Sequence, residues 1–174
     1  GENVDLNKVG VIWGSGIGGL TTFEEEMTNY LEGNRGPRFN PFFIPKMIAD
    51  SVSGQISIRN GYRGPNYVTV SACSSANNAM IDAFNYIRLG RITACVTGGS
   101  EASNSIAGIG GFNALRALSE RNDDPKTASR PYDRDRDGFV LGEGGAALIL
   151  EEYEHAKARG AKIYCELIGG GFSS

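Results

Sequence analysis

Histidine is almost absent from this chain: His155 is the one copy in 174 residues. A thiol nucleophile usually works with a proton acceptor or a second catalytic group. His155 sits in "EEYEHAKARG", a charged stretch expected to be a solvent-facing helix, so no Cys–His pair can be assembled from these residues. Cysteine is sparse too. Its three copies, at 73, 95 and 165, are too far apart for a zinc site and too few and odd for a disulfide framework. A reducing cytoplasm is the expected compartment. No apolar run approaches the ~20 residues that span a bilayer, and no signal-peptide pattern is present. Excess positive charge is missing as well. At a net charge of −3 nothing draws the whole chain to nucleic acid or an anionic membrane, so an electrostatic partner must be met by a local patch. There is no internal repeat and no low-complexity tract.

Glycine is what the chain has in quantity, 25 residues, as tight turns between short elements require. "VGVIWG" reads as a strand covered on both faces, and "LTTFEEEMTNYLEG" as a helix with Leu20, Phe23, Met27 and Tyr30 on one side. A proline-broken loop follows. "KMIADSVSGQISIRNGYRG" holds a second helical pattern and "PNYVTVSA" a strand. Residues 74–89 repeat apolar side chains at three and four, predicting a helix that ends at Gly90. "ITACVTGGSEA" is a strand, and "SIAGIGGFNALRALS" a glycine-rich loop with a turn of helix. "GGAALILEE" is a strand entering a charged helix, and "KIYCELIGGGFSS" reads as a further strand. Strands alternating with helices predict an α/β fold with parallel strands and crossover connections.

Two motifs point elsewhere. "GSGIGG" (Gly14–Gly19) matches the dinucleotide fingerprint G-x-G-x-x-G, but no second strand ending in an acidic residue follows some 20 residues on. A tight strand-to-helix turn is the expectation. "DRDRDG" (Asp133–Gly138) opens like a calcium loop, but its twelfth position is Gly144 rather than a bidentate Glu. A buried-edge network of salt bridges is expected there instead.

Cys95 and Cys165 lie in apolar, strand-like runs and are expected to be inert core thiols. Cys73 stands where "YVTVSA" gives way to "SSANNAMIDAF", at the expected first turn of a helix. Free backbone N–H groups and the helix dipole favour an anion there, lower a thiol pKa and could hold a developing oxyanion. The residues alone leave two readings open, a nucleophile or a packed thiol.

"VSACSSANNAMIDAFNYIRLGRITACVTGGSEA" resembles the active-site segment of the β-ketoacyl-acyl carrier protein synthases, condensing enzymes of the thiolase fold. "GSGIGGL", "PFFIPKMIAD", "GIGGFNALRALSERND" and "ASRPYDRDRDGFVLGEGGAALILEEYEHAKARGAKIY" continue the resemblance in order, closest to the synthase II branch. The resemblance implies a layered α-β-α thiolase-like fold with an incomplete N-terminal half over residues 1–162. Residues 163–174 would begin the C-terminal half. It implies decarboxylative condensation of an acyl thioester held on Cys73 with malonyl-acyl carrier protein, in fatty-acid elongation, with neither cofactor nor metal. Ile17 matches the floor of the acyl pocket and Phe112 an aromatic beside the acyl channel. Arg38 and Arg116 match positions that meet acyl carrier protein, although the neighbour of Arg38, often basic in relatives, is Phe39 here. Similar proteins are homodimers joined through the strand before the cysteine, here Tyr67–Ala72, and two readings stay open for Met47 and Ile48: they help close the partner's pocket, or they pack as ordinary core helix residues. The family's two catalytic histidines, lysine and phenylalanine gate find no match, so this segment is expected to be an inactive fragment. A non-catalytic chain-length-factor-like partner is the alternative; such relatives replace the cysteine, which is retained here.

Overall fold

A computed structural model describes residues 4–33, 36 and 38–173. In chain order the elements are β1 (Val9–Gly14), α1 (Leu20–Leu31), α2 (Phe43–Met47), α3 (Ser51–Asn60) and β2 (Asn66–Thr69), then α4 (Ser75–Arg88), β3 (Ala94–Glu101), α5 (Ile106–Ala114), β4 (Gly144–Glu151) and α6 (Tyr153–Ala158). The chain forms two compact units. One comprises residues 1–17, 48–101 and 145–174, the other residues 18–47 and 102–144.

The first unit holds one sheet in the order β2-β1-β3-β4. β1 pairs in parallel with β2 (Val11 opposite Asn66) and with β3 (Val9 opposite Ala94). Successive side chains of a strand point to opposite faces, and β1 uses both. Ile12 packs with Ala79 and Ala83 of α4 and with Ile92 and Cys95. Val11 and Trp13 face the other way, onto Val96, Ile56 of α3 and Tyr62. The sheet is therefore sandwiched between α4 and α3, and every residue of β1 is buried. α3 stops at Gly61, whose left-handed backbone (φ 72°) closes the helix.

In the second unit the apolar stripe expected to seat α1 is only part of the story. Tyr30 stacks on Phe39 at 5.2 Å and Phe39 on Phe43 at 5.4 Å, an aromatic row that leaves Phe23 and Tyr30 partly exposed. The one buried residue of α1 is Glu26. Its carboxylate accepts the Asn40 N–H at 3.0 Å, offsetting part of the cost of burying a charge. The stretch read as a glycine-rich loop is instead a nine-residue helix, α5. Ser105 caps it, accepting from the Gly108 N–H, and the Glu24 carboxylate accepts from Ser105 Oγ at 2.7 Å and from the Ala107 N–H. An anion and a side-chain cap on the first turn outweigh the poor helix propensity of three glycines.

The last expected strand is not formed. Residues 161–173 are irregular and mostly exposed, because among the described residues no strand lies beside them to supply ladder partners. No helix of the described residues is long and apolar enough to cross a membrane.

Candidate active site

Cys73 lies in a single 3-10 turn, Ala72–Ser74, between the end of β2 and the start of α4, and its side chain is exposed. Ala72, just before it, is left-handed at φ 51°. That conformation costs an L-residue about 1 kcal/mol, and such strain persists where the surroundings over-determine it. The surroundings are visible. Ser75 Oγ accepts the Ser71 N–H at 2.9 Å and donates to the Ala72 carbonyl at 2.7 Å. Asn78 Nδ2 donates to Ser71 Oγ at 2.7 Å, and Thr69 Oγ1 to the Ser75 carbonyl at 2.7 Å. The N-cap of α4, Ser74, makes no side-chain bond to the first turn. The dipole end of a fourteen-residue helix thus stands beside Cys73 without a side-chain cap.

The helix approaches the sheet closely because β1 and β3 are bare where it lands. A Cβ on Gly14 would fall 2.4 Å from the Ala76 nitrogen, and one on Gly99 2.7 Å from Ala76 Cβ. The glycine turn after β1 also abuts the cysteine turn, since a Cβ on Gly16 would lie 3.6 Å from the Ala72 carbonyl oxygen. The Gly16 and Ile17 N–H groups, which a pyrophosphate would need, both donate to Glu101 Oε2, at 2.6 and 2.9 Å. A carboxylate already fills the anion position of the fingerprint. Ile17, 48% exposed, belongs to the same unit as Cys73.

The other expected site residues lie in the second unit. Phe112, on α5, is half-buried and meets Phe139 edge-on at 5.3 Å. Arg116 follows α5 with a left-handed backbone (φ 53°) and is exposed, as is Arg38. Met47 is half-buried at the end of α2, its carbonyl accepting the Gly19 N–H, and Ile48 is exposed in the first unit.

The remaining thiols diverge. Cys95 is buried within the α4 face of the sheet, and burial pushes its thiol up to about 12. Cys165, expected to be a core thiol, is exposed, because the strand that would have buried it does not form. His155 is not the free surface residue expected either. Its Nδ1 lies 2.5 Å from Glu151 Oε1, and Arg159 grips the same carboxylate at 2.7 and 2.6 Å. The ion pairs of "DRDRDG" are present but half-buried to exposed rather than fully buried. Arg130 meets Asp133 at 3.1 Å, Arg134 meets Asp135 at 3.3 Å and Arg121 meets Asp137 at 3.5 Å. Arg136 donates to the Asp133 carbonyl instead of a carboxylate. The Ser119 hydroxyl and the Glu120 N–H hold Asp137 below the usual carboxylate range.

Sequence reasoning missed Glu101 and the Thr69, Ser71, Ser75, Asn78 scaffold. All four flank Cys73 within five residues, and the run of small polar side chains was their only local trace.

Known proteins resemble this chain closely. It is 50% identical to a 3-oxoacyl-[acyl-carrier-protein] synthase 2 of Synechocystis sp. over 97% of its length and 40% of the relative's. It is 49% identical to a chloroplastic 3-oxoacyl-[acyl-carrier-protein] synthase I of Arabidopsis thaliana, over 97% of this chain and 36% of that one. The chain spans about two fifths of the length of such relatives. Among solved structures, a β-ketoacyl synthase from Burkholderia phymatum superposes with a TM-score of 0.82 at 35% identity, covering 92% of this chain and 39% of that one. A type II polyketide ketosynthase, solved with its acyl-carrier protein and a bound hexaketide, superposes with a TM-score of 0.88 at 31% identity. That match covers 94% of this chain and 41% of the ketosynthase. The fold is thus the thiolase-like ketosynthase fold, seen in part. The family model for the N-terminal domain of β-ketoacyl synthases matches residues 1–156, and this chain belongs to that family.

Proposed function

We propose that this chain forms part of a 3-oxoacyl-[acyl-carrier-protein] synthase and carries its acyl-accepting nucleophile, Cys73. The observation behind this reading is an exposed thiol on a strained turn at the open end of α4. The thiolate attacks the carbonyl of an acyl thioester, forming the Cys73 thioester and releasing the carrier thiol. Malonyl-acyl carrier protein then loses carbon dioxide. The resulting enolate carbon attacks the Cys73 thioester, lengthening the chain by two carbons and freeing the thiolate. His155, tied to Glu151 on α6, is not offered as a catalytic histidine.

Around this nucleophile, Ile17 limits the acyl chain and Phe112 lies beside its channel. Arg38 and Arg116 dock the acidic carrier protein, in keeping with the carrier complex of the polyketide ketosynthase. β2 is the edge strand of its sheet and leads into exposed Val70, which supports a homodimer paired across residues 67–72. Residues 1–162 form part of an N-terminal domain and 163–174 begin the next, in a cytoplasmic enzyme. A chain-length-factor-like partner is disfavoured by the retained cysteine. The test is acyl transfer in the complete gene product. Incubated with acyl-acyl carrier protein, it should gain one acyl group, which peptide mass spectrometry places on Cys73 rather than Cys165. Iodoacetamide should block that transfer and leave Cys95 untouched. Absence of acyl-Cys73 overturns the reading.

A further inference from the structure

The geometry points to Ser75 as a positioning residue for Cys73: its hydroxyl locks the left-handed turn that aims both the thiol and its backbone N–H. The Ala72 carbonyl and the Cys73 N–H belong to one rigid, trans unit and point in opposite directions. Ser75 takes hold of that carbonyl twice, through its own N–H and through Oγ at 2.7 Å. With the carbonyl drawn toward α4, the Cys73 N–H is turned the other way, away from the body of the helix. Ser75 Oγ also accepts the Ser71 N–H, so one hydroxyl clamps the backbone on both sides of Ala72.

The clamp is itself held. Ser75 is 4% exposed, which shields these bonds from competing water. Thr69 fixes its carbonyl, and Asn78 fixes the hydroxyl of Ser71. Without Oγ, Ala72 has every reason to relax to negative φ, because alanine disfavours the left-handed region. Relaxation would swing the peptide between residues 72 and 73 and carry the N–H and the Cα–Cβ bond of Cys73 out of alignment. Hydroxyl geometry, rather than side-chain volume, is what the site requires.

This inference rests on the reading of Cys73 as the acyl-accepting nucleophile, but one arm of its test does not. In the complete gene product, Ser75→Ala should slow iodoacetamide alkylation of Cys73 about tenfold at neutral pH, the equivalent of two ordinary hydrogen bonds. The kcat for elongation should fall by a similar factor while the KM for acyl-acyl carrier protein stays within about twofold. Ser75→Thr should restore both, and Ser75→Val, which matches threonine in shape but lacks the hydroxyl, should not. Adding Ala72→Gly to Ser75→Ala should recover part of the loss, since glycine holds positive φ unaided. Equal rates for the Thr and Val variants overturn the inference, and they decide it even where Ser75→Ala does not fold. If the wild type alkylates at Cys73 but never accepts an acyl group, the proposed function fails while the alkylation arm still judges Ser75.

Discussion

A cysteine's role depends less on the residue than on the few atoms around it, and three cysteines in one chain make the comparison direct. Cys95 sits in hydrocarbon and holds its proton; Cys73 is exposed beside a helix start; Cys165 is exposed without such a setting. The sequence context separated Cys73 from Cys95 by the apolar run around one and the expected helix start beside the other. It misjudged Cys165 because an apolar run buries its residues only when something packs over it. Ile17 invites a test at the same scale. Its turn lies against the cysteine turn, with the backbone fixed by Glu101. Ile17→Phe in the complete enzyme should shorten the longest acyl primer elongated by about two to four carbons, because a larger side chain at a pocket floor takes up space the chain would fill. Chromatography of the products reads this out, and an unchanged length distribution removes Ile17 from the pocket floor.

At the scale of elements, the three-layer packing of β1 was readable from its unbroken apolar run, since only a strand covered on both faces tolerates one. The charged helix α6 was recognisable as a helix, but its anchoring was not. Glu151 ends β4, four residues before His155 and eight before Arg159, and the three meet only because α6 turns back over the strand end. Its side chain is 10% exposed. The Arg159 guanidinium first, and His155 after it, hold the Glu151 carboxyl below its ordinary 4.5. A depressed carboxylate stabilises the fold above its unfolded pKa, and that contribution fades as pH falls through the folded pKa. Glu151→Gln should therefore lower unfolding free energy near pH 7 by about 2 kcal/mol, a charged hydrogen-bond pair's worth. The gap between the wild-type and variant denaturation midpoints should narrow as pH falls through the ordinary glutamate range and close further into acid, once the folded-state carboxyl protonates. A gap that persists unchanged into acid would show that the charge of Glu151 is not what anchors α6.

On the molecular scale, partners matter more than internal contacts. Arg116 is exposed on a left-handed backbone just past α5, and a net charge of −3 concealed such local basic points. Arg116→Glu should raise the KM for acyl-acyl carrier protein about tenfold while changing that for acyl-coenzyme A by less than about twofold, because only the carrier would dock an extended acidic protein surface on the proposed patch, whereas the phosphates of coenzyme A sit at one end of a small ligand. Equal effects on the two substrates would take Arg116 out of the docking patch. The exposed flanks of the fold carry a practical consequence. β4 is exposed along most of its length, Ile106 of α5 is 90% exposed, and Leu148, Ile163 and Leu167 line an open apolar cleft of about 720 Å³. Greasy strand edges of this kind recruit copies of themselves. A laboratory expressing these residues by themselves should expect inclusion bodies, and a mild detergent would be the first remedy to try.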